Sequence, residues 1–375
     1  MAFDFPAAPT EGQTYAPPGG PTYIFHSPVW QMVPQSPIAY VATAEAKNRI
    51  VNGAFQISQE FGNTLLGPTG VLATYAADQW LGGSNTTGTV SQQRVQVPTP
   101  KGSVNRLRMT IVTVDASLTT NEHLSIVQTI EGIRVADFLY GTAQAKQAVL
   151  RFGFKGPAGT YAASLRNNAS DRSYIANFII AAGQANTDTE QVLVIPGDTV
   201  GTWLTDSGIG IWLRICLGTG PTWQGVAGWQ AGNLFNIAGN SNGLAVAGAV
   251  YELFDVGLYL DPNNTGVPPA WQMPDEAEEL RSCQRYYQTA YNWLSGSVTL
   301  NLGYLMTAAV PVMPRGGLQN AMISPANQGS SQFPATPGTV SAMQYANGVI
   351  REQRTANATH GSGFFQTLFT INARM

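Results

Sequence analysis

Tryptophans and scattered carboxylates are the side chains of this sequence best suited to chemistry. Trp203, Trp212, Trp223 and Trp229 fall within one stretch, and Trp212 stands two residues before Arg214. An indole offers a flat apolar face and one N–H, and a guanidinium adds hydrogen bonds to hydroxyls. Together they suit a sugar ring, stacked on its C–H face and held by its polar edge. Trp212, Arg214 and Trp223 are therefore the glycan-binding candidates, while Trp203 and Trp229 read as structural anchors.

Cleaving a glycosidic bond would instead need two carboxylates about 5 to 9.5 Å apart. Asp188 and Glu190 are spaced to share a strand face, and Asp198, Asp206, Glu252 and Asp255 are further acids. Nothing in the sequence converges them, so they read as solvated loop and edge residues. Gly239-Asn240-Ser241-Asn242-Gly243 has the spelling of a nucleophile elbow but neither its strand-turn-helix setting nor a histidine partner, and reads as a turn. His26, His123 and His360 stand apart, and Cys216 and Cys283 are distant from each other. No metal, cofactor or disulfide is expected, and no enzymatic activity.

The elements that must position these residues are strands. Leu107, Met109 and Ile111 alternate with Arg106, Arg108 and Thr110, and Leu150, Phe152 and Phe154 with Arg151 and Lys155. Ile209, Ile211, Leu213, Ile215 and Leu217 alternate with Gly210, Trp212, Arg214 and Cys216, and Phe254, Val256, Leu258 and Leu260 complete the set. Each run has one face to bury and one to spare, which two packed sheets satisfy. Composition agrees: 11% of residues are charged, with 40 glycines and 23 prolines, as suits a turn-rich β protein. The net charge of -3 supplies no basic footprint for nucleic acid or a membrane surface. The first residues lack a signal-peptide pattern, and no run of about 18 apolar residues exists, so neither secretion by that route nor membrane insertion is expected.

Residues 1–44 are Pro- and Gly-rich and read as small β-arms, with turns at Pro18-Gly19-Gly20 and near Ser27-Pro28. A lone hairpin is marginal in water, so Tyr15, Tyr23, Phe25 and Trp30 are expected to be covered by another chain. Breakers from Asp261 to Pro269 end the central region. Pro274 to Tyr287 then reads as the one helix, with acids in its first turn and Leu280, Cys283 and Tyr287 on one face. From Ser295 the period of two returns, through Val298, Leu300, Leu302 and Tyr304 to Phe365, Thr367, Phe369 and Ile371.

Several separated motifs share a resemblance. Asn48-Arg49-Ile50-Val51-Asn52-Gly53-Ala54, Ile57-Ser58-Gln59, Ala77-Asp78-Gln79-Trp80 and Gln128-Thr129-Ile130-Glu131-Gly132 come first. Arg172-Ser173-Tyr174, the run from Ile195 to Trp203 and Trp229-Gln230-Ala231-Gly232-Asn233 follow in order. This series resembles the jelly-roll domain of phage and prophage tail-fibre proteins, and similar folds occur in carbohydrate-binding modules. The N-terminal segment resembles the aromatic hairpin by which many tail appendages attach or trimerise, and Glu279-Leu280-Arg281-Ser282-Cys283-Gln284-Arg285-Tyr286-Tyr287 resembles the junction after the jelly roll.

The resulting expectation is an all-β chain: an attachment arm at 1–44, a jelly-roll β-sandwich at 45–263, a linker and short helix at 264–294, and a smaller β-sandwich at 295–375. The resemblance implies a non-enzymatic receptor-binding protein on the virion surface. It would be a homotrimer, joined to other virion proteins by its arm and bound to host-surface glycan. A head fibre, decoration or baseplate component and a polysaccharide depolymerase are the alternatives.

Overall fold

The computed structural model describes residues 5–16, 22–32, 47–298, 303–315, 322–331, 344–346, 349–355 and 360–374. The chain forms two units, Met1–Lys47 and Asn48–Met375.

In the first unit, β1 (Thr14–Tyr15), β2 (Tyr23–His26) and β3 (Val29–Met32) make an antiparallel sheet in that order. The expected hairpin is β2–β3, turning at Ser27-Pro28, with β1 added along its edge. The turn expected at Pro18-Gly19-Gly20 and the linker over 33–46 lie outside the described residues. Phe5 stacks on Trp30 with ring centroids 5.3 Å apart and meets Tyr15 and Tyr23 edge-on at 5.5 and 4.9 Å. Yet Tyr15, Tyr23, Phe25 and Trp30 are all only half-buried. The rings cover one another without closing a core, as three short strands must.

The second unit is built on β4 (Leu66–Ala77), β5 (Trp80–Gln96), β6 (Asn105–Thr113), β7 (His123–Glu131), β8 (Ala148–Lys155) and β9 (Gly159–Arg166). It continues with β10 (Arg172–Ile180), β11 (Thr189–Ile195), β12 (Ile209–Thr219), β13 (Gln224–Gly225), β14 (Gly228–Ala231), β15 (Asn236–Ile237) and β16 (Val250–Leu260). The principal hydrogen-bonded path runs β11-β8-β16-β6-β5-β7-β12-β9-β10-β14.

Strand β5 turns this path into a sandwich. Its first part, Leu81 to Asn85, pairs with β7, and its second, Thr89 to Gln96, pairs with β6. Between them the chain crosses from one layer to the other, pinned by Asp115, which accepts from Thr86 Oγ1 at 2.6 Å and Thr87 Oγ1 at 2.9 Å. Burial raises the Asp115 pKa, but these hydrogen bonds outweigh it and hold the carboxyl below its usual range.

The interior is aromatic and aliphatic. Phe154 of β8 meets Phe178 of β10 at 5.1 Å and Tyr161 of β9 at 5.6 Å, joining the two layers. The alternation read for β6, β8 and β12 holds: Leu107, Met109, Ile111, Leu150, Phe152, Phe154, Ile211, Leu213, Ile215 and Leu217 are all buried in one core. The phase read for β16 needs correction. Tyr251 and Leu253 face the core, then a bulge at Asp255 (φ 49°) shifts the register, and Val256, Leu258 and Leu260 face it again. Phe254 therefore lies on the outer face, because a bulge adds one residue and resets the period of two.

The Asn48–Gln59 motif proves architectural. Asn52 donates to the carbonyls of Ile57 and Asp78 at 2.7 and 2.9 Å and accepts from Ile57 N, while Trp80 Nε1 donates to Asn52 O at 2.9 Å. A Cβ on Gly53 would stand 2.2 Å from Val256 O, so only glycine allows this segment to lie against β16.

The expected helix spans Glu276–Gln284, capped by the Asp275 carboxylate, which accepts from Ala277 N and Glu278 N. Its Leu280 and Cys283 pack with Val51, Ile57 and Tyr286. Tyr287, expected on the helix, instead opens β17 (Tyr287–Val298), before the boundary expected at Ser295. Next come β18 (Gly303–Ala309), β19 (Met322–Ser331), β20 (Gln344–Ala346), β21 (Val349–Thr355) and β22 (His360–Asn372), in sheets ordered β17-β22-β19 and β18-β21-β20. Leu300 and Leu302 lie outside the described residues. Arg285 donates to Glu131 at 2.7 and 2.8 Å, and Arg374 stacks on Tyr75 and Tyr287, fastening these sheets to the sandwich.

Candidate functional site

The sandwich has two outer faces. On the layer containing β12 and β9, Trp212 lies opposite Arg166 and Arg214 opposite Ser164. Arg166 stacks over Trp212 at 4.6 Å, and Arg214 over Phe235 at 3.9 Å. Trp223 lies on the same Phe235, centroids 5.2 Å apart, and its Nε1 donates to Asn121 O. The structure thus brings Arg214 and Trp223 together through Phe235, with Trp212 beside them.

These groups are committed to one another. The groove between Trp212, Arg214, Asn233 and Phe235 is too narrow to admit a water. A small apolar cluster of Ala162, Ile175, Cys216 and Phe235 underlies it, with Leu234 and Ile237 packed against it. Burial pushes the Arg214 guanidinium down to about 10, and the same burial, with the charge of Arg214, holds His123 below the usual imidazole value. Trp203 and Trp229 do act as anchors. With Tyr140 they form a three-ring cluster 5.1 to 5.7 Å apart, and their Nε1 groups donate to Val200 O and Pro196 O.

The face on β8, β11 and β16 is different. Across these strands Glu190, Gly153 and Phe254 stand in one row. Gly153 has no side chain, so a gap opens between its neighbours, and the Phe254 ring leans into it; a Cβ on Gly153 would be 2.0 Å from that ring. What remains is a cleft of about 360 Å³, lined by Lys101, Arg151, Asp188, Thr189, Glu190, Phe254 and Asp255 among others.

Ion pairs hold its rim. Arg106 grips Asp188 with two hydrogen bonds of 2.6 Å and stacks over Phe254 at 4.3 Å. Behind it the fully buried Glu252 accepts from Arg106 at 3.1 Å and from Arg108 at 2.8 Å. Glu190 pairs with Arg151 and, at 3.2 Å, with Lys101. Arg151 also donates to Pro269 O at 2.8 Å. Two polar atoms at this cleft remain buried without a partner: Arg151 Nε and Asp255 Oδ2. One is a donor and the other an acceptor, and burying either without a partner is costly.

Asp188, Glu190 and Asp255, which reading by sequence left dispersed, are therefore neighbours around one opening. Ser241 of the elbow-like motif is a turn residue, its Oγ accepting from Thr160 N at 3.0 Å. Among the described residues, no group of His, Cys, Asp and Glu could hold a metal ion, and no helix is long and apolar enough to cross a membrane. The sequence did carry one signal for the cleft. Leu253-Phe254 is an apolar doublet inside an alternating strand, the mark of a bulge, and Gly153 interrupts the outward-facing series of Arg151 and Lys155.

No protein-family model matches the chain, and no curated protein matches it. Among solved structures, it is similar to the enzymatically active domain of tailspike protein 4 of bacteriophage CBA120, with 14% identity and a TM-score of 0.30, over 57% of this chain and 21% of that one. The chain thus spans about a fifth of the tailspike's length. It is also similar to the family 11 carbohydrate-binding module of a cellulosomal cellulase of Clostridium thermocellum, with 12% identity and a TM-score of 0.27, over 54% of this chain and 97% of that one. A third match is TmCBM61, solved in complex with beta-1,4-galactotriose, with 11% identity and a TM-score of 0.28, over 57% of this chain and 99% of that one. Likeness at this level carries no information on function.

Proposed function

We infer that this protein is a non-enzymatic phage virion protein, a tail fibre or receptor-binding protein, that holds a host-surface glycan in the cleft between β8, β11 and β16. The observation that carries glycan binding is the cleft itself: a site with an apolar wall, a charged rim, and one buried donor and one buried acceptor left open. The virion setting rests on the ordered motifs and on the N-terminal arm, whose half-buried rings call for cover by another chain. Display at the virion surface as a homotrimer would convert weak single sites into avid attachment.

Isothermal titration against host-surface polysaccharide tests this reading. Saturable binding by the wild type, weakened in Arg151→Ala with the fold retained, is the expected result, with sedimentation as a trimer. A monomer that binds neither host cells nor any glycan would remove the proposal.

A depolymerase is the second reading, favoured by the convergence of Asp188, Glu190 and Asp255 on one opening. Against it, Asp188 and Glu190 are each locked to an arginine, which suits holding a ligand better than trading protons. Release of new reducing ends from host polysaccharide, abolished by Glu190→Gln, would favour cleavage over adhesion.

A further inference from the structure

The geometry points to Asp255 as the residue that sets the cleft's selectivity, and to a glycan carrying a free amine as its ligand. This deepens the glycan-binding reading of the same cleft and rests on it. Three carboxylates line the opening, and two are answered from within the protein: Asp188 by Arg106, and Glu190 by Arg151 and Lys101. Asp255 is not. It is 2% exposed, its Oδ1 accepts from Ser103 Oγ, and its Oδ2 has no partner. Among the described residues no lysine, arginine or histidine forms an ion pair with it.

The backbone helps to place this residue. Asp255 sits at the bulge of β16 with φ 49°, in the left-handed region that aspartate enters more readily than most side chains. Without the bulge, the strict alternation of a strand would place this residue on the core side, opposite in phase to Phe254. With it, residues 254 and 255 both line the cleft. The bulge and an unpartnered buried carboxylate oxygen thus coincide at one residue of the cleft lining.

The charge decides the ligand's chemistry. A sugar hydroxyl would give Oδ2 one hydrogen bond and leave the negative charge unanswered. An N-acetyl group would add a single neutral N–H and the bulk of an acetyl. An ammonium brings both an opposite charge and three donors. The cleft therefore favours amino sugars in the free-amine form.

The test is a titration of the full chain against matched oligosaccharides, glucosamine and galactosamine tetramers each as free amine and as N-acetyl derivative, with a glucose tetramer as neutral control. The free-amine forms should bind about 10- to 100-fold more tightly, the span expected for a hydrogen bond to a charged group. In Asp255→Asn that preference should collapse, so that the free-amine and N-acetyl forms bind within about twofold of each other. The wild-type comparison needs no variant, so a poorly folded Asp255→Asn leaves the test intact. Equal binding of both forms, or a preference that survives in Asp255→Asn, overturns the inference while sparing glycan binding. Failure of the wild type to bind any glycan overturns both.

Discussion

Both outer faces of the central sandwich set an arginine on an aromatic ring, yet one face is closed and the other open. On the β9–β12 face Arg166 covers Trp212 and Arg214 covers Phe235, and neither arginine has a carboxylate partner among the described residues. The segment from Trp223 to Ile237 folds down onto the sheet and fills the space. On the β8–β16 face Arg106 covers Phe254, but there each arginine is tied sideways to an acid, and the Phe254 ring lies over Gly153, with the cleft opening beside it. The difference teaches that aromatic content alone does not make a binding platform. A ring sandwiched by its own chain is a core element, whereas a ring laid flat over a glycine and edged by ion pairs forms one wall of an open cleft.

The contrast can be broken most forcefully at the closed face. Phe235→Ala should lower unfolding free energy by about 3 to 5 kcal/mol, as for a buried aromatic, with glycan binding unchanged. Chemical denaturation and titration together check it, and loss of binding at unaltered stability would move the site to this face. At the open face, Gly153→Ala forces the Phe254 ring aside, since the added Cβ would lie 2.0 Å from it. A cost of about 1 to 3 kcal/mol and clearly weaker glycan binding are expected. Arg151→Ala should cost about 1 to 2 kcal/mol, because the buried side chain that donates to Pro269 O is removed while Glu190 keeps Lys101, and its main effect should appear in affinity.

The smallest effect is that of pH on the closed face. His123 is held below its usual value of 6.5, by burial first and by the charge of Arg214 second. The unfolded chain therefore binds more protons than the folded one as pH falls from 6.5 toward the folded value. Stability contributed by neutral His123 is present above 6.5 and is lost as pH drops through that window. Denaturation near pH 7.5 and near pH 5.5, compared with His123→Gln, should show a shallower loss in the variant. Equal slopes would mean that His123 is not buried as the closed face requires.

Much of the scaffold was legible because its signals are local. Alternation located β6, β8 and β12, and Pro274-Asp275 with the acids behind them announced the helix at Glu276–Gln284. The cleft was not legible in the same way. Glu190 and Phe254 come together only because β11 and β16 both pair with β8, and such pairings leave no mark on either segment. The tryptophan candidates failed to form an open platform for a related reason: Phe235 lies beyond Trp223 in sequence, and only folding returns it onto Arg214.

By itself, then, the order of residues determined that β6, β8 and β12 are strands, which face of each of these seeks the core, and that the arm's aromatics lack enough neighbours to bury them. Those properties follow from the two-residue period and from apolar area, both set within a few positions of one another. Only the tertiary structure decided that Asp188, Glu190 and Asp255 surround one opening, that two of them are answered by arginines, and that the third is not. That outcome depends on strand order, on one bulge and on one absent side chain, and charge pairing across a sheet has no meaning until the strands are laid side by side.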